Sequence, residues 1–400
     1  MNADFITVSS PEIAVKFLKD QDIVFSSRPD VLSADITSRG YLTTALSPLG
    51  GQWKKMRRVL ASDVLSTARH RWLQGKRTEE ADHLVRGRER GACSHVDALF
   101  KILAYLFSFC VSDFLPFLRG HLDLDGHEKI VRTATATMAK YQDPEIDKRI
   151  RQWIESTKTE QEDLLDVLIG LKENDGTPLL SPDEIKAQIV ELMLATVDNP
   201  SNAVEWAIAE MINEPATLER ATEVLDRVVG KERLVQESDL SQLNFVKSCM
   251  RESFRLHPIA PFNVPHVSTV NATVAGYLIP KGSRVLLSRP GLGRNPRVWD
   301  EPRTPVQTRA PQGGRLQCGA HRPYLKMLSF RTGRRGCAGA NLGSTMTAML
   351  MARLLQAFSW ELPSTVAKIE LKESAGDLFL AEPLYVKAQP RLAEALYHQL

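Results

Sequence analysis

Apolar residues recur three and four positions apart through most of the chain, the spacing of helices that bury one face. Two-residue alternation is confined to short stretches, so the pattern predicts a mainly helical protein with small β-sheets. Phe5–Val8 reads as a strand, and Ser10-Pro11-Glu12 opens a helix with proline at its favoured first position. A loop rich in Ser, Thr, Pro and Gly follows from Ser26 to Gly51, then helical stretches over Trp53–Val64 and Arg77–Arg86. The most apolar window, Leu99–Leu118, contains Lys101 and Asp113 and reads as a buried helix rather than a membrane span.

The strongest helical run extends from Ser181 to about Asn213. Ser181-Pro182-Asp183-Glu184 supplies an N-cap, a proline in the first turn and a capping-box carboxylate. Pro200 interrupts the run. Its ring has no N–H and collides with the carbonyl of Thr196, so the middle of the helix is expected to kink or open. Helices over Ala216–Val229 and Leu243–Leu256 stop at Gly230 and His257-Pro258. Thr273–Ile279 and Arg284–Ser288 flank Pro280-Lys281-Gly282-Ser283, which suggests a hairpin. From Arg303 to Pro323 neither periodicity nor turn signals are visible, which is unusual inside a compact domain.

Composition changes this picture little. The chain has 400 residues, 43% hydrophobic and 25% charged, and a net charge of +3 that gives no argument for nucleic acid. One domain spanning residues 1–400 is expected. The five cysteines fall at irregular spacing without a CxxC pair, which suggests neither a disulfide framework nor a zinc site. No basic-then-apolar leader or apolar run of spanning length is legible, so the chain as it stands is expected to be soluble or peripheral.

One cysteine stands apart. In Phe330-Arg-Thr-Gly-Arg-Arg-Gly-Cys-Ala-Gly339, Cys337 lies where a glycine-rich loop enters an apolar helix. Free N–H groups and the positive helix end lower a thiol pKa there, and Arg334 and Arg335 add positive charge. Gly333, Gly336 and Gly339 allow tight turns and the close approach of a flat cofactor. The bland alternative is a buried loop cysteine. Glu252 and Arg255, three apart within CMRESFRLHP, share a helix face and can pair. Alone, they would read as a surface ion pair.

The spacing FxxGxRxCxG over Phe330, Gly333, Arg335, Cys337 and Gly339 resembles the haem-thiolate signature of the cytochromes P-450. The same family has an ExxR helix ending in His-Pro and a WxxxR helix, matched here by Trp53 and Arg57. The resemblance implies the cytochrome P-450 fold, N-terminally truncated and missing internal helices, with haem b on Cys337. Thiolate ligation favours O–O cleavage. The resemblance further implies that Arg335, Trp53 and Arg57 approach a haem propionate. His266 stands where the family often places a propionate-binding Arg or His, though a solvent-exposed loop histidine is an alternative reading. Glu252 and Arg255 would stabilise the fold.

The family's oxygen-activating pattern aligns with Ala195-Thr196-Val197-Asp198-Asn199-Pro200. Asp198 keeps the carboxylate, while Asn199 replaces the usual threonine, and an amide cannot cycle a proton as a hydroxyl does. DNPSNAVEWAIAEMINEP, ESFRLHPIAPFNVPHVS and SFRTGRRGC together resemble plant amino-acid N-monooxygenases that form aldoximes, most closely the tyrosine-using members. The resemblance implies N-hydroxylation of tyrosine or a similar amino acid with dioxygen, and electrons from NADPH through a separate reductase. It places substrate contacts in the Ser26–Gly51 loop, Pro261–Val264 and Phe379–Leu384. Two other readings are a haem-thiolate enzyme that rearranges peroxides or oximes, and a degenerate relative with poor haem binding.

Residues 87–94 read as a deletion junction, and 303–327 as an atypical segment where the family supplies an arginine for the Glu252–Arg255 pair. The composition of that segment resembles GC-rich coding sequence read out of frame. Family members sit on the endoplasmic reticulum membrane, facing the cytosol. Without a legible anchor, this chain is expected in the cytosol.

Overall fold

A computed structural model describes residues 4–85, 94–299, 325, 327–330, 332–374 and 379–398. The chain starts with strand β1 (Phe5–Val8) and helix α1 (Pro11–Val15), whose N-cap Ser10 accepts the Ile13 N–H. Helix α2 (Gly51–Val59) passes into a π-helical turn over Leu60–Val64, dividing the expected Trp53–Val64 stretch. A helix over Gln74–Val85 matches the next expected stretch, except that Arg86 lies outside the described residues.

The apolar window Leu99–Leu118 is not one buried helix. Helix α3 (Ser94–Tyr105) ends just before Phe107, whose φ of 64° is left-handed and incompatible with a continuing helix. Only short turns follow, and Phe109 and Phe117 are 71% and 72% exposed. Hydrophobicity without continued helical spacing did not guarantee burial. Helix α4 (His127–Ile154) then packs along α3.

The long central run is two helices, α5 (Pro182–Thr196) and α6 (Asp198–Asn213), separated at Val197. The expected capping box at Ser181 and Glu184 is present. The break falls three residues before Pro200, where the missing N–H would have been felt. Trp206, Ala209 and Met211 on α6 are almost completely buried, which makes α6 a central element of the core. A helix over Pro215–Val228 and helix α7 (Asn244–Leu256) pack beside it.

Four short strands follow: β2 (His266–Val267), β3 (Ala272–Val274), β4 (Tyr277–Ile279) and β5 (Arg284–Leu287). The hairpin is β3–β4, turning at Ala275 and Gly276, both with positive φ. The expected hairpin about Pro280–Ser283 does not form. That turn instead sends β5 into another sheet, parallel to β1 and antiparallel to β2. Two left-handed residues suit a tight hairpin better than the proline turn does. Helix α8 (Ala340–Ala357) follows the cysteine loop and packs on α6 and α7. Strands β6 (Phe358–Glu361) and β7 (Lys387–Pro390) form an antiparallel pair near the C-terminus.

Together these elements make the mainly α, small-sheet architecture that the periodicity predicts. The junction at 87–94 and the atypical segment 303–327 lie outside the described residues, apart from Ser94, Leu325 and Met327. No described helix is long and apolar enough to cross a membrane.

Candidate functional site

The glycine-rich loop is held by its own backbone. The Cys337 N–H donates to Phe330 O at 2.8 Å, and the Gly336 N–H to Gly333 O at 2.9 Å. Gly333 has φ +74°, and a Cβ there would collide with the Leu18 carbonyl, so glycine is required on both counts. The Phe330 ring meets Phe254 edge-on at 5.9 Å and lies against Gly343, joining the loop to α7 and α8. Gly339 is the last residue before α8, so Cys337 stands at a helix entrance, as expected. Cys337 is exposed, whereas Cys110 and Cys249 are buried. Burial pushes the Cys249 thiol up to about 12 and raises that of Cys110, which keeps both as inert thiols.

Arg334 faces outward and pairs with Asp22 at 3.0 Å. Arg335 turns inward and is buried, donating to the carbonyls of Ser26 (2.6 Å), Thr44 (3.3 Å) and Ser47 (2.8 Å). Its guanidinium lies 4.5 Å from the centre of the Trp53 ring, a cation–π contact. Burial pulls the Arg335 guanidinium down to about 10, opposed by the Glu191 charge, so it stays protonated at neutral pH. Three carbonyls occupy some of its five N–H donors, and the remainder can still serve another acceptor.

Arg57, one turn along α2 from Trp53, is half-buried and has no ion pair among the described residues. Burial lowers its pKa, and the Cys337 charge opposes that shift, so the two groups are electrostatic neighbours. Arg289, just after β5, behaves similarly: burial brings it down to about 10 against the same Cys337 charge. His266 is buried on β2, where its Nδ1 lies 2.5 Å from Phe25 O, so the exposed-loop alternative does not hold.

The helix break has a particular chemistry. The Asn199 amide donates to Ala195 O at 2.7 Å, Thr196 Oγ1 to Leu192 O at 2.8 Å, and Ser201 Oγ to Val197 O at 2.8 Å. All three polar side chains therefore donate to the carbonyl four residues back along the chain. Asp198 is buried, while Ala195, Thr196 and Val197 are exposed in the middle of an otherwise well-packed helix pair.

The Glu252–Arg255 pair forms on α7, with Arg255 buried rather than at the surface. Arg255 also donates to Gly293 O at 2.9 Å and lies 4.8 Å from the centre of the Trp299 ring. Sequence reasoning missed two organisers of the Ser26–Gly51 loop. Glu191 on α5 accepts the N–H groups of Thr44, Ala45 and Leu46 at 3.0, 2.8 and 3.3 Å. Arg28 donates to Ala45 O at 2.9 Å and Pro265 O at 2.7 Å. Neither belongs to a local motif; only their burial, 8% and 3% exposed, marks them.

A cysteine-centred loop with this geometry, in this fold, agrees with the comparisons to known proteins. The sequence profile described as Cytochrome P450 matches residues 88–388. The chain belongs to the cytochrome P450 family. Valine N-monooxygenase 1 of Manihot esculenta is 49% identical over 98% of this cytochrome P450 and 80% of its own length. Tyrosine N-monooxygenase of Sorghum bicolor is 48% identical over 98% of the chain and 78% of its own. A zebrafish cytochrome P450 structure with progesterone matches with a TM-score of 0.74 at 22% identity, covering 96% of this chain and 93% of that one. That similarity speaks to the fold.

The cytochrome P450 described here is therefore an oxidoreductase of the haem-thiolate monooxygenase type, which takes its electrons from a redox partner. Its donor set fits haem. An exposed thiol stands at a helix entrance, and Arg57 and Arg289, neither with an ion pair among the described residues, suit a dianionic, flat ligand.

Proposed function

We propose that this chain N-hydroxylates an amino acid, with tyrosine as its substrate, and converts it to the aldoxime. Cys337 would hold the haem iron, with Arg57, Arg335 and Trp53 toward the propionates and His266 behind them. When bound, the haem supplies reductive activation of dioxygen. NADPH, through a separate reductase, would supply the electrons.

The observation that carries the reading is the helix break. Asn199, Thr196 and Ser201 all donate to main-chain carbonyls four residues back, so none offers a ready proton. Protons must then come through water near Asp198 or from a polar substrate. A substrate ammonium group supplies N–H groups where the chain's own hydroxyls do not. Two successive N-oxygenations, loss of carbon dioxide and loss of water would give the oxime, and the carboxylate is needed for the third of these events. Relatives named for valine, tyrosine and tryptophan N-monooxygenation support the reaction class.

The test is turnover by the haem-loaded protein with reductase, NADPH and dioxygen. Tyrosine should give its aldoxime, ahead of valine and tryptophan, and tyramine should give none. Equal turnover of tyramine, or oxime formed without dioxygen, would overturn the reading.

A further inference from the structure

Two stretches near the C-terminus, 369–374 and 379–384, lie along one face of α6. At the end of that helix, Asn213 Nδ2 donates to Ile369 O and Asn213 Oδ1 accepts the Ile369 N–H, both at 2.9 Å. About one turn earlier, Leu380 packs on Trp206 and Ala209, and all three are buried. The Leu384 N–H then donates to Glu205 Oε1 at 3.1 Å. Asn213, Ala209 and Glu205 recur at four-residue spacing and Asp198 lies two turns before Glu205, so all four share a face of α6. That spacing puts Glu205, and Leu384 with it, about 10 Å along the helix from Asp198 and the break.

His257 closes this packing into a ring. It follows α7 directly, and its imidazole stacks on the Trp206 indole, with ring centres 3.7 Å apart and planes inclined by 2°. Its Nε2 lies 2.7 Å from Glu210 Oε1, and its Nδ1 faces Glu373 at 3.8 Å. Glu373 in turn bridges Leu380, with the Ala381 N–H donating to Lys372 O at 2.8 Å. Leu380 returns to Trp206. Arg294 ties the same carboxylate to the end of α7, pairing with Glu373 while donating to Leu256 O at 2.7 Å. A buried imidazole held on one face and at both nitrogens cannot shift without its neighbours, so its position fixes that of Glu373 and, through the bridge, that of Leu380.

We propose that His257 is a positioning residue for substrate choice: through Glu373 it sets where the stretch from Phe379 to Leu384 stands on α6, and hence which amino-acid side chain fits beside the helix break. This rests on the proposed function for the place of the substrate. His257 itself touches no substrate. Its effect reaches the break by way of Leu380 and Leu384, whose contacts on α6 step toward Asp198.

The haem-loaded wild type, His257→Phe and Glu373→Gln are compared with Leu168→Ala, a truncation in a core cluster that contains none of these residues. Amide hydrogen exchange is followed in the peptide covering 379–386. Binding difference spectra are taken with tyrosine and valine, and with 4-phenylimidazole and imidazole, a pair that reports room beside the iron whatever the natural substrate. His257→Phe keeps a ring against Trp206 and removes both carboxylate contacts. It is expected to speed exchange in that peptide about 10-fold and to move the tyrosine-to-valine affinity ratio about 10-fold toward one. Glu373→Gln should act in the same direction and less strongly, and it decides the matter if His257→Phe does not fold. Leu168→Ala should lower stability and leave exchange in the peptide and both affinity ratios as in wild type. Unchanged exchange in the His257 and Glu373 variants, or an equal rise in Leu168→Ala, overturns the positioning role. Faster exchange with both affinity ratios unchanged overturns the role in substrate choice. Faster exchange with a shifted phenylimidazole-to-imidazole ratio, in a protein that binds neither amino acid, supports the positioning role and defeats only the proposed function.

Discussion

Glu191 and Arg335 hold opposite sides of one residue, Thr44. The carboxylate accepts the Thr44 N–H at 3.0 Å, and the guanidinium donates to the Thr44 carbonyl at 3.3 Å. One partner comes from helix α5 and the other from the cysteine loop, so the loop over 43–47 ties the helix to the Cys337 segment. Backbone groups without regular secondary structure still require partners when buried, and here two charged side chains supply them.

Glu191→Ala should therefore be costly. Three loop N–H groups lose a charged acceptor, and hydrogen bonds to charged groups contribute about 1.5–3 kcal/mol each before relaxation. A net loss on the order of 3 kcal/mol is expected in urea denaturation, together with weaker haem retention. A stability change below about 1 kcal/mol would show that the loop holds itself.

Cys337→Ala should abolish the thiolate-type spectrum of the reduced carbon-monoxide complex. Cys110→Ala and Cys249→Ala should preserve it, because both thiols are buried and held protonated. Survival of a thiolate-type spectrum in Cys337→Ala would remove that residue from the ligand role.

Gly333→Ala tests the loop geometry separately from its chemistry. The left-handed φ of 74° and the collision with Leu18 O together predict a loss of roughly 2–3 kcal/mol. Haem content per chain should fall with it. Gly50→Ala, in an extended conformation with open space around it, should change neither quantity.

Acid stability depends on Glu373. The His257 imidazole 3.8 Å away, with further help from the Arg294 guanidinium, holds its carboxyl at about 2, against an ordinary 4.5 and in spite of burial. A folded-state pKa below the unfolded one means that the contribution is present above about pH 4.5 and is lost as pH falls toward 2. Because the side chain is 26% exposed, the contribution after solvent screening is about 1–2 kcal/mol. Glu373→Gln should lower stability at neutral pH and flatten the decline below pH 4.5, as read from denaturant midpoints across that range. An unchanged pH profile would remove Glu373 from the acid response.

The sequence by itself determined the elements whose causes are local. The capping box at Ser181, the proline-linked break near Val197, the helix entrance at Cys337 and the Glu252–Arg255 pair all depend on residues within one or two turns of each other. Helical spacing and caps act over that range, so they can be read directly. Tertiary structure decided the rest. Glu191 and Thr44 are 147 positions apart, and Arg335 and Ser26 are 309 apart, so no local pattern links them. The same holds for β5, which the sequence assigns to a hairpin but which pairs with β1 near the other end of the chain. It also holds for Phe109 and Phe117, whose apolar character gave no sign that the fold leaves them exposed. Burial and charge pairing are properties of surfaces brought together from distant segments, and they exist only once the whole chain has packed.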